Sequence, residues 1–148
     1  MTTSTNELVQ RTDREQIEET LYRYASTIDA GDLGRLRSLL TDDARARYGA
    51  RGWIEGADAV VEFIRDKGAG IGWQHHLLSI YHVEVDGEVA SALTYHTSYQ
   101  IARARPDEAA MIVARYHDRL VRVDGVWLIK EKRMEIGWRE TRAGTSFL

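Results

Sequence analysis

Two Asp-Gly steps, Asp86-Gly87 and Asp124-Gly125, cut the second half of this 148-residue chain into long β-type runs. Asp-Gly is a strong signal for a two-residue hairpin, because the turn needs positive φ that aspartate tolerates and glycine favours. A third break, Arg105-Pro106-Asp107, holds the sole proline. Together the breaks predict strands over about residues 74–85, 89–103, 109–123 and 126–138, joined as an antiparallel meander. Such a meander must bury one face, so the first half of the chain has to cover it.

That first half carries helical spacing. Thr12-Asp13-Arg14-Glu15 has the form of a capping box, and Ile17, Leu21, Tyr24, Ala25 and Ile28 recur one turn apart, which predicts a helix from Asp13 to Ala30. Gly31 can end it in the left-handed conformation, and Asp32 can cap a shorter helix with the stripe Leu33, Leu36, Leu39 and Leu40. Ala44, Ala46 and Tyr48 then alternate with Arg45 and Arg47, so a half-buried strand is expected to place Tyr48 inward, with Trp53 and Ile54 continuing the sheet. Asp58 is the expected cap of a third helix carrying Val60, Val61, Phe63 and Ile64 and ending at Gly68. Helices first and a meander last give an α+β fold, in which a cone-shaped, curved antiparallel sheet wraps the N-terminal helices and leaves a pocket.

The length fits one domain. It is expected over residues 12–140, between a flexible N-terminal tail (1–11) and a C-terminal tail (141–148). The absence of cysteine excludes a disulfide scaffold, thiolate metal sites and a cysteine nucleophile. With 20 basic against 23 acidic side chains and no basic stripe, nucleic acid is not an expected partner. Apolar runs such as Ala59-Val60-Val61 are too short to span a bilayer, and MTTSTNELVQ lacks the basic-then-apolar order of a signal peptide. A cytoplasmic protein without membrane contact is the expectation.

Catalytic candidates therefore come from histidines, carboxylates and tyrosines. His75 and His76 are neighbours on a predicted strand and should face opposite sides, so they do not readily share a metal; no HExxH or EF-hand pattern occurs, and no metal site is expected. The glycine run over 68–72 lacks both GxGxxG and a Walker lysine, and no GxSxG is present. His82, His96 and His117 read as surface or sheet residues. Asp29 shares the inward face of Leu21 and Ala25 near the C-terminus of the first helix, where the helix dipole disfavours a carboxylate and local compensation is needed.

The strings YASTIDAGDLGRLRSLLTDDA, WQHHLLSIYHVEVDGEVASA and DRLVRVDGVWLIKEKRMEIGW together resemble the SnoaL-like branch of the nuclear transport factor 2 superfamily over about residues 10–140. Functionally the resemblance is to scytalone dehydratase and the bile-acid dehydratases, and more distantly to a hexachlorocyclohexane dehydrochlorinase. It implies a cofactor-independent lyase in which an aspartate at the end of the first helix orients a strand histidine acting as base. Those positions match Asp29 and His76. Tyrosines of the dehydratases match Tyr24 and Tyr48. A basic residue late in the last strand matches Lys132 or Arg133, Tyr99 falls near another polar pocket position, and Trp53 joins them as a candidate substrate contact. Ile80 departs from the pattern, since many members carry asparagine there.

The implied reaction is proton removal beside a carbonyl with loss of water from a hydrophobic cyclic, polyketide-like or steroid-like substrate. An isomerase or polyketide cyclase could use the same pair, and a non-catalytic small-molecule-binding or assembly module is the alternative of a different class. A homo-oligomer, dimer or trimer, is expected, and no cofactor is.

Overall fold

The computed structural model describes residues 11–148; of the expected N-terminal tail, all but Arg11 lies outside the described residues. Helix α1 (Asp13–Ala30) starts at a complete capping box: the Glu15 N–H donates to the Thr12 hydroxyl (3.2 Å) and the Thr12 N–H to the Glu15 carboxylate (2.7 Å). It ends at Gly31 with φ of 70°, whose N–H returns to the last turn. Helix α2 (Leu33–Ser38) is shorter than the leucine spacing suggested, because Leu40 already belongs to strand β1 (Leu40–Tyr48).

β2 (Ile54–Glu55) is a two-residue strand that omits Trp53, and α3 (Ala57–Gly68) follows. The expected cap Asp58 is corrected: Gly56 is the N-cap, without a side-chain bond, and Asp58 instead pairs with Arg37 (2.6 Å). The four long strands are β3 (Ile71–Asp86), β4 (Val89–Ala102), β5 (Glu108–Val123) and β6 (Val126–Ala143). β6 runs past the expected domain end at residue 140.

The sheet order is β2-β1-β6-β5-β4-β3. β3 to β6 form the antiparallel meander, but β1 lies parallel to β6, so the sheet is mixed rather than wholly antiparallel. The parallel pairing follows from the chain path, because α3 and four strands intervene before β6 returns beside β1. α1 packs on β3 and β6, and α3 on β1. Ile17, Leu21, Leu36, Leu120, Trp127 and Ile129 fill the narrow end of the cone, each nearly or wholly excluded from solvent.

Two bulges in β6 decide which residues face inward. Opposite β5, Leu120 pairs with Ile129 but Arg119 with Glu131, so Lys130 is an extra residue; Ala114 pairs with Ile136 but Val113 with Trp138, so Gly137 is another. Each extra residue reverses the two-residue alternation beyond it. The inward series therefore runs Ile129, Lys132, Met134, Ile136 and then Arg139, while Trp138 faces outward at 59% exposure.

Candidate active site

The wide end of the cone is not filled by side chains. It encloses a cavity of about 1120 Å³ bordered by Tyr24, Asp29, Tyr48, His76 and His96, with Phe63, Ile112 and Met134 among its apolar walls. The cavity lies between the C-terminal half of α1 and the inward faces of β3 to β6, the crevice type in which small-molecule sites form.

Asp29 and His76 meet directly. One Asp29 oxygen accepts from His76 Nδ1 at 2.5 Å, and the other accepts from the His76 backbone N–H at 3.0 Å. These two donors supply the compensation that a carboxylate at a negative helix end requires. Close by, the Gln74 amide donates to the Ile28 carbonyl (3.1 Å) and ties β3 to the last turn of α1. A proton on Nδ1 fixes the tautomer and leaves Nε2 as a free acceptor, with no protein partner among the described residues. The imidazole is 8% exposed, so its orientation is set by packing as well as by Asp29.

The Tyr24 and Tyr48 hydroxyls are hydrogen-bonded at 2.5 Å, and the Tyr48 ring stacks on Phe63 with 5.1 Å between centroids. Burial raises the pKa of both phenols, so they stay protonated and act as donors. Tyr24 also meets Tyr116 edge-on.

His96 is a site residue that sequence reasoning missed: it is not a surface residue but lies 5.1 Å from His76 and 4.7 Å from Tyr116, ring centroid to centroid, at 2% exposure. Among the described residues neither of its ring nitrogens has a hydrogen-bond partner. Burial above all, and then the neighbouring His76, push its pKa down to about 3, so it is a neutral imidazole at ordinary pH. The signal was the alternation Ala90, Ala92, Thr94, His96, Ser98, which marks one buried face of β4. Opposite β3, Ser98 pairs with His76.

Four expected substrate contacts lie elsewhere. Lys132 points inward but below the cavity, 2.7 Å from buried Asp118, with its ammonium over the Tyr24 (4.3 Å) and Tyr116 (4.0 Å) rings. Arg133 falls on the other face because of the Lys130 bulge, paired across the sheet with Arg47 and His117. Tyr99 faces outward as well, edge-on to His75 at 5.5 Å, since it alternates with the inward Ser98 and Gln100. Trp53 lies outside the cavity and packs under the Arg45 guanidinium at 4.2 Å. Ile80 packs against the core, His82 is exposed and His117 sits beside Glu135 on the outer face.

Among the described residues no group of three His, Cys, Asp or Glu is placed to hold a metal ion, and no helix is long and apolar enough to cross a membrane. No curated protein sequence matches the chain. Solved structures do. A proposed scytalone dehydratase from Novosphingobium aromaticivorans superimposes with a TM-score of 0.79 at 20% identity, covering 91% of this chain and 93% of the other. The type 3 hexachlorocyclohexane dehydrochlorinase from Novosphingobium barchaimii gives 0.80 at 19% identity, covering 91% and 93%. A Mycobacterium tuberculosis protein of unknown function, solved as an aspartate-to-asparagine variant, gives 0.75 at 24% identity, covering 84% and 72%. At these identities the likeness is one of fold. The family model described as SnoaL-like domain matches residues 9–133. The chain has the nuclear transport factor 2-like fold of its structural neighbours, and with that match over most of its length it belongs to the SnoaL-like domain family.

Proposed function

We propose that this protein is a cofactor-independent lyase, a dehydratase acting on a hydrophobic cyclic, polyketide-like or steroid-like molecule. The observation that carries the reading is the 2.5 Å bond from His76 Nδ1 to Asp29 at the wall of an apolar cavity. It makes Nε2 the base. That nitrogen takes a proton from the carbon next to a substrate carbonyl, and the electron pair of the broken C–H bond delocalises onto the carbonyl oxygen. Asp29 stabilises the imidazolium formed.

The Tyr24–Tyr48 pair donates to the developing enolate oxygen, one hydroxyl orienting the other. As the enolate collapses, the C–O bond at the β-carbon breaks and the departing hydroxide takes the proton back from His76, releasing water and restoring the neutral pair. Neutral His96 adds a donor beside His76 that carries no charge of its own. A dehydratase and a dehydrochlorinase among the structural neighbours, both eliminating enzymes by name, support this reaction class.

The test is a screen of hydroxylated cyclic ketones for water loss and for entry of solvent deuterium at the carbon beside the carbonyl. The dehydratase reading expects both, and His76→Ala to abolish them. Deuterium entry without water loss reassigns the pair to an isomerase or cyclase, and wild-type turnover by His76→Ala overturns the site. The protein is further proposed to work as a homodimer in the cytoplasm. Leu77, Val113 and Trp138, at 58%, 39% and 59% exposure, lie with Thr97 in one register row across the outer sheet face, a mainly apolar strip that a second copy would cover.

A further inference from the structure

The charge around the cavity is one-sided. Asp29 is the only carboxylate bordering it among the described residues, and that carboxylate is engaged by His76. Five cations border it: Arg51, Arg65, Lys67, Arg103 and Arg139. Only Arg65 has a carboxylate partner within ion-pair distance among the described residues, Glu62. In a chain with net charge −3, where more than half of the exposed arginines among the described residues are ion-paired, four cations without a carboxylate partner around one cavity are not what solvation of a surface requires.

Topology puts these groups at the wide end and away from the proton-transfer pair. Arg51 follows β1, Lys67 is in the last turn of α3, Arg103 follows β4, and Arg139 is turned inward by the Gly137 bulge. Ser98 is the β4 partner of His76, and Arg103 lies five residues further along the chain. His76, Ser98, Ile112 and Arg139 occupy one register row across β3 to β6. At about 3.4 Å per residue along a strand and about 4.8 Å between strands, both guanidinium stems start roughly 14–17 Å from His76. Side-chain reach shortens this to about 10–15 Å between the base and an anion held at the mouth.

The geometry points to a substrate that carries an oxyanion, a carboxylate or a phosphate, about 10–15 Å from the carbon that His76 deprotonates, its apolar body in the cavity and its charged end held by Arg103 and Arg139 with Arg51 and Lys67 nearby. This deepens the lyase reading by naming the substrate class of the same site. Guanidinium groups suit both oxyanions through paired N–H donors. Burial of the reacting end and exposure of the charged end also avoid moving an ion into the apolar interior.

The experiment measures binding, so it does not depend on turnover. Fluorescence titrations use 1-pyrenebutanoate, 1-pyrenedecanoate, the methyl ester of each, and the 4′-phosphopantetheine thioester of pyrenebutanoate. The acids are expected to bind about tenfold more tightly than their esters at low salt, with the advantage shrinking in 0.5 M salt, the long acid preferred over the short one, and the advantage lost in Arg103→Gln/Arg139→Gln. His76→Ala should keep it. If the thioester outbinds both carboxylates the anion is a phosphate; if it does not, a carboxylate. Equal affinity for acid and ester, failure of every probe to bind, or an unchanged preference in the double variant overturns the inference. Charge preference in a protein that turns over no ketone removes the lyase reading and leaves this one.

Discussion

Replacing Asp29 by asparagine changes one oxygen to an amide and should separate catalysis from folding. In the native protein Asp29 accepts from both the Nδ1 and the backbone N–H of His76, at 2.5 and 3.0 Å. Asparagine can keep the backbone bond through its carbonyl, but its NH2 then faces Nδ1, which must become the acceptor. The proton moves to Nε2, and the base is lost. The same tautomer error in a serine-protease triad costs about 10⁴ in rate, and a loss of 10³–10⁴ is expected here.

Stability should respond far less. A charge-assisted bond contributes about 1.5–3 kcal/mol, and removing a carboxylate from a negative helix end returns about 0.3–1 kcal/mol. With Asp29 partly open to solvent, the net loss is about 1 kcal/mol, or about 2–4 °C in Tm for a domain of this size. Turnover assays, thermal melts and ¹⁵N NMR of the His76 ring read the three consequences. Activity within tenfold of wild type, or an inactive variant that retains the Nδ1–H tautomer, would refute the reasoning.

Tyr24→Phe and Tyr48→Phe should each lower kcat partially and unequally, because one hydroxyl orients the other, and the double variant should lose more than either in the same turnover assay. His96 has a folded-state pKa depressed to about 3 against an ordinary 6.5, so the unfolded chain takes up its proton first on acidification. Its contribution is constant above pH 6.5 and stability falls between pH 6.5 and 3, by up to about 1.4 kcal/mol per pH unit, a slope that urea titrations should find reduced in His96→Gln. Lys132→Met should cost about 3–5 kcal/mol by leaving Asp118 buried and unpaired, whereas Lys132→Met/Asp118→Leu should cost less than that single change in the same denaturation measurement. Trp138→Glu should convert the proposed dimer to monomers by light scattering with a circular dichroism spectrum like that of the wild type.

The elements most legible in the sequence were those with local causes. The capping box at Thr12 and the glycine stop at Gly31 set both ends of α1. Asp124-Gly125, with both φ values positive, marks the β5–β6 turn. The alternation of Ala44, Ala46 and Tyr48 correctly implied that Tyr48 turns inward. What escaped has nonlocal causes. β1 can pair parallel to β6 only after the whole sheet is assembled, so its direction is written in no short segment. Lys132 and Arg133 could not be assigned to faces because the bulge at Lys130 is a property of the pairing with β5. His96 was passed over for another reason. Its alternation was readable, but its nearness to His76 depends on the β3–β4 register, and no turn signal fixes the bulge between Ile80 and His82 that shifts that register.

The extra residue at Gly137 makes the last strand behave like a message with a movable reading frame. Upstream of it the strand delivers Met134 and Ile136 to the interior; downstream the same two-residue rhythm delivers Arg139 there and Trp138 to the outside. A β-carbon at Gly137 would meet only ordinary van der Waals contact with the Val113 carbonyl, and its backbone is not left-handed, so the bulge does not depend on glycine as such. It depends on the pairing with β5. Were the bulge to flatten at constant length, Trp138 would come opposite Ile112 and the two faces would swap, lining the mouth with indole and sending the guanidinium outward with no side chain altered, whereas deletion of Gly137 would keep Trp138 opposite Val113 and Arg139 opposite Ile112. In a fold of this kind, gain or loss of a bulge within a strand is a route by which one scaffold can acquire a differently charged vestibule and a different partner surface in a single step.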